Sequence, residues 1–352
     1  MELKKLREDI DKIDNQILNL LNRRVNKVLK VSKLKQKKSI SSYAPEREAK
    51  ILRRLRALNK GPLSKKDLEN IFREILSSCR SQRSLLKIAY LGPQGTFTHL
   101  AALKKFGRKS DYIVAESIED VFDKVERDES DYGVVPIENS TEGAINYTLD
   151  MFLVSSLNIC AEVVIDVSHS LLGSRGRKIK RIYSNPEVFA QCRKWISGSL
   201  KEAELISTAS TAVAARKTKS DKQGACIGNK ILADIYGLKV LASPVEDSTS
   251  NFTRFLIISK NDSPPSGKDK TSILFSVKDR VGVLYETLSA FRKNNVNLTK
   301  IESRPSKIKP WEYYFFLDLE GHRVSPSIQR SLKSLEKICV FLKILGSYPR
   351  ES

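Results

Sequence analysis

Apolar residues in the first part of the chain recur three or four positions apart, which places them on one face of a helix. The face continues through Val28 and Val31 to about Lys37. At about 1.5 Å per residue, such a helix is roughly 50 Å long and needs partners along its whole length. The residues that set the pattern are Leu3, Leu6, Ile10, Ile13, Ile17 and Leu20.

Two shorter helices follow the long one. Pro45 suits the first turn of one helix, which Gly61 and Pro62 close. Ser64 and Asp67 resemble a capping box at the start of the other. Three helices of such unequal length cannot close a compact core alone. We therefore expect a homodimer, or a higher homo-oligomer, in which two long helices interlock.

The pattern changes over residues 87–260, where short apolar strands alternate with helical stretches. This alternation predicts α/β layers with a mostly parallel sheet, and the length suffices for two lobes with a cleft between them. The strands are the segments IAYLG, YGVVPI, RIYS and FLIIS, and the helices include HLAALKKFG, VFAQCRKWI and TAVAARKT.

The last part of the chain begins with a linker-like segment, NDSPPSGKDK, at residues 261–270. Residues 271–349 then alternate as strand, helix, strand, strand, helix and strand, which predicts a ferredoxin-like α+β domain. The pattern therefore predicts a multidomain chain divided into residues 1–86, 87–260, the linker 261–270, and 271–352.

Charge is distributed unevenly over these parts. Residues 1–86 contain 23 Lys and Arg against 10 Asp and Glu, and the remaining residues contain 39 against 31. A segment this basic attracts nucleic acids or small substrates with several carboxylates, whereas the simpler interpretation is a solvated Lys-rich surface. Because no clear helix-turn-helix pattern is present, we expect no nucleic-acid partner.

Cysteine and histidine usage argues against a disulfide framework or a protein-built metal site, because the five cysteines and three histidines are scattered without a CxxC pair. The chain has no apolar run long enough for a membrane span, and its first residues lack the apolar region of a secretory signal. We therefore expect a cytoplasmic protein with no membrane partner.

Several cations lie where the helical pattern predicts a core. Arg24 and Lys35 share the apolar face of the long helix, and Arg7 borders it. In the second helix, Arg47 aligns with apolar residues and Glu48 is its neighbour. Buried cations need paired anions, and a bound dianion would supply them. Alternatively, the long side chains extend to solvent with only their stems packed.

Another unusual segment is NFTRF at residues 251–255, which leads into an apolar strand. Thr253 is either an ordinary β-branched strand residue or a hydroxyl held in place for chemistry. The segment alone leaves both interpretations open.

The motifs LREDIDKID, the RR pair, KLK and PEREA resemble the all-helical chorismate mutase domain. The motifs IAYLGPQGTFTHLAA, VVPIENSTEGAI, STASTAVAA and NFTRF resemble prephenate dehydratase. GVLYETL and ESRP resemble the phenylalanine-binding ACT domain. In this order, the motifs resemble the bifunctional chorismate mutase–prephenate dehydratase family over essentially the whole length of the chain. The resemblance implies an intertwined helical mutase dimer, a two-lobed domain like periplasmic binding proteins, and a regulatory ACT domain.

The resemblance implies that the first domain is an isomerase that rearranges chorismate to prephenate without acid, base or covalent catalysis. Arg7 and Arg24 would then clamp the carboxylates, one of them from the partner chain, while Lys35 donates to the breaking ether oxygen. Arg47 would support the carboxylate end, and Glu48 would accept from the substrate hydroxyl.

One position departs from the family pattern on the third helix. Where the family usually has Gln or Glu opposite Lys35, this chain has Arg83. Either Arg83 donates as a permanent cation, or the helix end shifts and Gln82 takes its place. This departure leaves open a chain with an active dehydratase and a weak or inactive mutase.

The resemblance implies that the second domain is a lyase that converts prephenate to phenylpyruvate with loss of water and CO₂, without a cofactor. Thr253 would be the general acid that protonates the leaving hydroxide, and Arg254 would fix the loop or offset substrate charge. Thr96 belongs to a Gly-rich turn before a helix, and His169 is expected to be structural. The substrate-binding residues would include Glu138, Asn139, Ser140, Gln191, Ser210 and Thr211.

The third domain would bind phenylalanine at a subunit interface and inhibit the dehydratase. By motif position the effector site comprises Gly282, Val283, Leu284, Glu302, Ser303 and Arg304. An ordinary helix start and strand end is the alternative for these residues. For the whole chain, the alternative is an amino-acid sensor without chemistry. The threonine and the cation set argue against that alternative.

Overall fold

The computed structural model describes residues 2–37, 43–82, 84–248, 250–305 and 313–351. Within them, the chain forms three helices, then a two-lobed α/β region, then a smaller α+β region. In this part of the chain, no helix combines the length and the apolarity that crossing a membrane requires.

The first helices are α1 (Glu2–Lys37), α2 (Pro45–Leu58) and α3 (Lys65–Ser81). The predicted local signals are confirmed: Pro45 lies in the first turn of α2, and the Ser64 hydroxyl accepts a hydrogen bond from the Asp67 N–H. The apolar stripe of α1 remains open to solvent in one chain. Its residues Leu3, Leu6, Ile10, Ile13, Ile17 and Leu20 are between 48% and 64% exposed.

The remaining elements follow in chain order. The helices are α4 (Phe97–Phe106), α5 (Ile118–Glu126), α6 (Asn146–Val154), α7 (Pro186–Gln191), α8 (Arg193–Ser199), α9 (Thr211–Ser220), α10 (Ile231–Tyr236), α11 (Val283–Lys293) and α12 (Pro326–Leu335). The strands are β1 (Lys87–Leu91), β2 (Asp111–Ala115), β3 (Tyr132–Asn139), β4 (Gly143–Ala144), β5 (Asn158–Asp166), β6 (Ser170–Gly173), β7 (Arg181–Ser184), β8 (Glu204–Ser207), β9 (Gly224–Gly228), β10 (Lys239–Ala242), β11 (Phe252–Ser259), β12 (Asp269–Val277), β13 (Leu298–Pro305), β14 (Tyr313–Glu320) and β15 (Cys339–Pro349).

Each lobe of the α/β region has its own sheet. The first has the strand order β2-β1-β3-β11-β5, with β4 paired to β3, and the second has the order β10-β6-β9-β7-β8. The expectation of a mostly parallel sheet is wrong, because both sheets are mixed. β11 is antiparallel to β3 and to β5, and β6 is antiparallel to β9 and to β10. In the first sheet, this follows from the chain connectivity. The chain enters the second lobe after β5 and returns through β11, which lies between β3 and β5.

The last four strands form a third sheet in the order β13-β14-β12-β15, which confirms the predicted βαββαβ pattern. One of its faces packs against α11 and α12. The other face lies on the first lobe, where Leu274, Phe316 and Tyr348 share a core with Leu256 and Ile258 of β11. The C-terminal sheet is therefore built directly onto the strand that contains the NFTRF segment.

The segment predicted as a linker, 261–270, requires a correction. Strand β12 already begins at Asp269, and Ser263 and Ser266 are buried. The ring nitrogen Nε2 of His322 donates to the carbonyl of Ser263 at 2.9 Å. Polar composition suggested a linker, but this bond and the one from the Ser263 hydroxyl to the Cys160 carbonyl at 2.8 Å hold the segment between the two domains.

Gly346 lies where the C-terminal sheet closely approaches the first lobe, since a Cβ atom there would collide with the backbone of Ile159. We expect Gly346→Ala to lower the free energy of unfolding by about 1–3 kcal/mol or more, because neither backbone can easily move away. Chemical denaturation followed by fluorescence measures this loss.

The matched control is Gly198→Ala in α8, where an added Cβ meets no atom within 4 Å. It should leave stability unchanged or raise it, because alanine favours helix more than glycine does. Equal behaviour of the two variants would contradict tight packing at Gly346.

Candidate active sites

Thr253 lies at the start of β11, paired in register with Asn139 at the end of β3. The Asn139 amide, through Nδ2, donates to the Thr253 hydroxyl oxygen at 2.9 Å and also lies 3.0 Å from Oδ1 of Asn251. Only 9% of Thr253 is exposed. Because the hydroxyl accepts this bond through its oxygen, its own proton remains to be donated elsewhere.

The residues after Asn139 fold back onto the same strand. Asn139 Oδ1 accepts from the N–H groups of Thr141 and Glu142 at 2.8 and 3.1 Å. Ser140 exchanges hydrogen bonds with Phe252 through its N–H and its hydroxyl. This loop therefore fixes the backbone that leads into Thr253, and it places Asn139 and Ser140 beside the threonine.

Two helix N-termini carry the other predicted hydroxyl residues. Thr96 caps α4 and Ser210 caps α9, each through a side-chain oxygen that accepts from an N–H of the first turn. The predicted Ser210 cap is thus confirmed, and Thr211 is the buried first residue of α9. Helix N-termini of this kind suit carboxylates.

The two lobes touch beside these helix starts. The Asn229 amide of the second lobe donates to the carbonyl of Gly95 at 2.5 Å. Gln191 lies 2.9 Å from His169 Nε2 through Oε1 and donates through Nε2 to Glu142 at 3.4 Å. Burial lowers the pKa of His169, against the effect of the Gln191 hydrogen bond. A buried neutral imidazole held by Gln191 agrees with the expected structural role for this histidine.

Arg254 points to the opposite face of the sheet from Thr253, because successive strand residues alternate in direction. Its guanidinium is 4% exposed and donates to Glu162 at 2.7 Å, to Asp318 at 2.5 Å, and to the Tyr348 hydroxyl at 2.9 Å. Glu138 accepts from Arg254 at 3.1 Å on that same face. The expectation that Arg254 and Glu138 line the substrate site is therefore corrected: both contact the C-terminal sheet.

These groups form a buried cluster, which we call the Arg254 cluster, of three cations and three carboxylates. Its members are Arg254, Lys270, Lys300, Glu138, Glu162 and Asp318. Burial alone raises the pKa of Glu162, but Arg254 and Lys270 outweigh it and hold that pKa below its usual value. These charges can be buried together because the cluster contains as many cations as carboxylates.

The predicted effector residues separate into two groups. Gly282 has φ of +80° and precedes α11, and Val283 and Leu284 follow it along a pocket of about 330 Å³. Ser303 is the cross-strand partner of Phe315, which lines that pocket. Glu302 and Arg304 alternate to the other face, where Arg304 donates to both carboxylate oxygens of Asp150 in α6. The expectation that these two charges belong to the effector pocket is therefore corrected.

The helical domain assembles part of the predicted cation site. Arg24 of α1 donates to the sulfur of Cys79 at 2.8 Å, and Glu48 of α2 pairs with Arg80, so both meet α3 at consecutive residues. Lys35 lines a pocket of about 300 Å³ at the first turn of α2, the helix that carries Glu48.

Other predicted mutase residues do not join this site within one chain. Arg7 precedes Arg24 by 17 positions on the same helix, a separation of about 25 Å along the axis. Arg47 and Gln82 are exposed. Arg83 lies outside the described residues.

Comparison with known proteins decides the family. Models of chorismate mutase type II, prephenate dehydratase and the ACT domain match residues 6–84, 88–263 and 271–337. A bifunctional chorismate mutase/prephenate dehydratase from Aquifex aeolicus is 45% identical over 99% of this chain and 98% of its own length. The chain belongs to the bifunctional chorismate mutase/prephenate dehydratase family.

Two further relatives agree with this assignment. The Stutzerimonas stutzeri bifunctional chorismate mutase/prephenate dehydratase is 43% identical over 99% of this chain and 98% of its own length. The crystal structure of prephenate dehydratase from Arthrobacter aurescens in complex with L-Phe is 33% identical, with a TM-score of 0.70, and covers 75% of this chain and 90% of that one. The prediction of a bifunctional mutase and dehydratase with an ACT domain is confirmed.

Sequence reasoning missed the partners that hold the dehydratase residues in place. Asn251 lies two residues before Thr253 in the NFTRF segment, and Glu142 lies within ENSTEG, so proximity to a motif was a usable signal for both. Asp318, Tyr348 and Lys300 gave no such signal, because they come from strands of another domain.

Asp318→Asn removes one carboxylate from the Arg254 cluster and leaves a buried guanidinium undercompensated. We expect it to cost about 3–5 kcal/mol, because breaking one side of a buried ion pair is strongly destabilising. Asp123→Asn is the control; its carboxylate pairs with Arg127 at the surface, so it should cost about 1 kcal/mol or less. Denaturation midpoints measure both.

The stability that the Arg254 cluster contributes also depends on pH, and the same denaturation experiment repeated at several pH values measures this dependence. Because the folded-state pKa of Glu162 is lowered, its stabilisation is complete above the unfolded-state pKa of about 4.3 and is lost as pH falls through the lower folded-state value.

Equal losses for Asp318→Asn and Asp123→Asn would show that the cluster is not a major source of stability.

Proposed function

We propose that this chain rearranges chorismate to prephenate in its helical domain and converts prephenate to phenylpyruvate in its two-lobed domain, with phenylalanine inhibiting the second reaction through the ACT domain. The observation that carries the dehydratase assignment is the buried Thr253 hydroxyl, whose oxygen is fixed by Asn139 and whose proton is left to donate. A cytoplasmic location and the absence of nucleic-acid and membrane partners stay predictions.

The dehydratase reaction needs an acid at the C–O bond to the ring hydroxyl, because hydroxide is a poor leaving group. As the C–C bond to the departing carboxylate breaks, its electrons enter the ring while the C–O bond to the ring hydroxyl breaks. Thr253 gives its proton to the leaving oxygen, so water departs instead of hydroxide. The Asn139 amide stabilises the negative charge that develops on the threonine oxygen, which makes a weak acid more effective.

The substrate carboxylates require a positive electrostatic potential. The N-termini of α4 and α9, capped by Thr96 and Ser210, supply it on either side of the cleft. Gln191 and Glu142 link the lobes across that cleft. In this proposal Arg254 and Glu138 stay behind the sheet and support Thr253 without touching prephenate.

The mutase reaction needs a fixed substrate shape and a donor at the breaking ether bond. Arg24 binds one carboxylate, Lys35 donates to the ether oxygen, and Glu48 accepts from the hydroxyl. Arg7 is too far along α1 to serve the same site as Arg24, so it serves the site of a second chain. The exposed apolar stripe of α1 is the surface on which that second chain packs.

Phenylalanine binds in the pocket beside Gly282. Tyr285, Tyr313 and Phe315 suit its ring. Asp279 and Arg280 offer opposite charges for its two ionised ends, although Arg280 would have to share its guanidinium with Glu286. The other face of the same sheet contacts Arg254, the neighbour of Thr253, through Asp318 and Tyr348. Inhibition follows if phenylalanine prefers an arrangement of the ACT domains that shifts this contact.

Thr253→Val tests the general acid, since valine keeps the shape and removes the hydroxyl. With supplied prephenate, kcat for phenylpyruvate formation should fall by about 10²–10⁴-fold. The mutase, measured as chorismate loss, should not change. Thr299→Val makes the same substitution at an exposed strand position and should keep the dehydratase rate. Retention of dehydratase kcat by Thr253→Val would remove this role from the threonine.

Complementation tests the shared mutase site. Arg7→Ala and Arg24→Ala should each abolish mutase activity in homodimers. A heterodimer of the two, isolated through different affinity tags, should recover about half of the wild-type activity, because one of its two symmetric sites then has both arginines. If Arg7 and Arg24 serve the same site from one chain, the heterodimer stays inactive.

A further inference from the structure

Arg80 of α3 makes three contacts through its guanidinium, and it is not among the residues that the sequence predicted for any site. Its side chain is 11% exposed, and Nη1 pairs with Oε1 of Glu48. Nη2 donates to the carbonyl of Phe106 at 2.7 Å. The guanidinium carbon also lies 5.2 Å from the centre of the Tyr43 ring, within the range of a cation–π interaction.

One of these three contacts belongs to the dehydratase domain, and a second is made with a ring that packs on that domain. Phe106 is the last residue of α4, so its carbonyl is one of the unpaired, partly negative groups at a helix C-terminus. Tyr43 precedes α2, but its ring is buried among dehydratase aromatics, 5.0 Å from Phe106 and 5.1 Å from Tyr132 between ring centres. Arg80 therefore connects Glu48 to a rigid part of the neighbouring domain.

We propose that Arg80 is a positioning residue for the mutase reaction, which holds the Glu48 carboxylate in place for the substrate hydroxyl. The inference rests on the proposed role of Glu48 as acceptor. A carboxylate has two oxygens, and Arg80 engages Oε1, so Oε2 is left for the substrate. A planar guanidinium held at three points fixes that orientation better than a flexible ammonium group.

The consequence is that the mutase acceptor is fixed to the dehydratase fold. Free glutamate side chains adopt several rotamers, and misplacing a catalytic group by about 1 Å is enough to cost on the order of 10²-fold in rate. Arg80, Phe106 and Tyr43 remove this freedom before the substrate arrives. The mutase thus depends on the second domain for the geometry of one group.

A double-mutant cycle tests this role in the full-length chain. Arg80→Met should lower mutase kcat about tenfold or more. In a Glu48→Gln background, the same substitution should lower kcat by only about twofold or less, because the two residues act as one unit. Arg80→Lys keeps the charge and should recover part of the rate. Arg54→Met, at an exposed position of α2, is the matched control and should leave kcat unchanged.

Dehydratase activity with supplied prephenate and the thermal midpoint report whether each variant is folded. The proposal is overturned if Arg80→Met loses the same factor with and without Glu48, since its effect would then be purely structural. It is also overturned if Arg80→Met accelerates the mutase, since Arg80 would then compete with the substrate for Glu48. If Glu48→Gln itself leaves the mutase unaltered, the acceptor role of Glu48 fails first, and that single variant identifies this outcome.

Discussion

The need to balance a buried cluster of charges connects the domains of this enzyme. Arg254 lies within the sheet that carries Thr253, and its own lobe supplies Glu138 and Glu162, which leaves one negative charge in excess. The ACT domain supplies Asp318 together with Lys270 and Lys300, so the charge balance closes only when both domains are in contact. Apolar packing beside the cluster has no such directional requirement. The ion pairs therefore determine the relative position of the domains, and the shared apolar core stabilises it.

Strand β11 has a different function on each face as a result. One face carries the Thr253 hydroxyl toward the cleft, and the other face carries Arg254 into the ACT contact. A movement of the ACT sheet would act directly on the strand that carries Thr253, because the two sheets are in contact. The mutase is tied to the same framework from the other side through Arg80 and Tyr43.

Local features were predicted well from the sequence because their causes are local. The Ser64 and Ser210 caps, the proline start of α2 and the period of α1 each depend on a few neighbouring residues. The residue pair Thr253-Arg254 could also have been interpreted correctly, since adjacent strand residues face opposite ways, and the same holds for Glu302 and Arg304 against Ser303. What sequence could not supply were partners far along the chain, such as Asp318 for Arg254, 64 residues away, or Phe106 for Arg80.

The insertion of one lobe within the other has a consequence for biosynthesis on the ribosome. Asn139 and Thr253 are 114 residues apart, so β3 emerges long before the strand that will pair with it. At translation rates of about 5–20 residues per second, this delay is on the order of 10 seconds. During that interval the first lobe presents an unpaired sheet edge of the kind that promotes aggregation. The strand that carries Thr253 is thus also the one whose arrival ends the vulnerable period of the nascent chain.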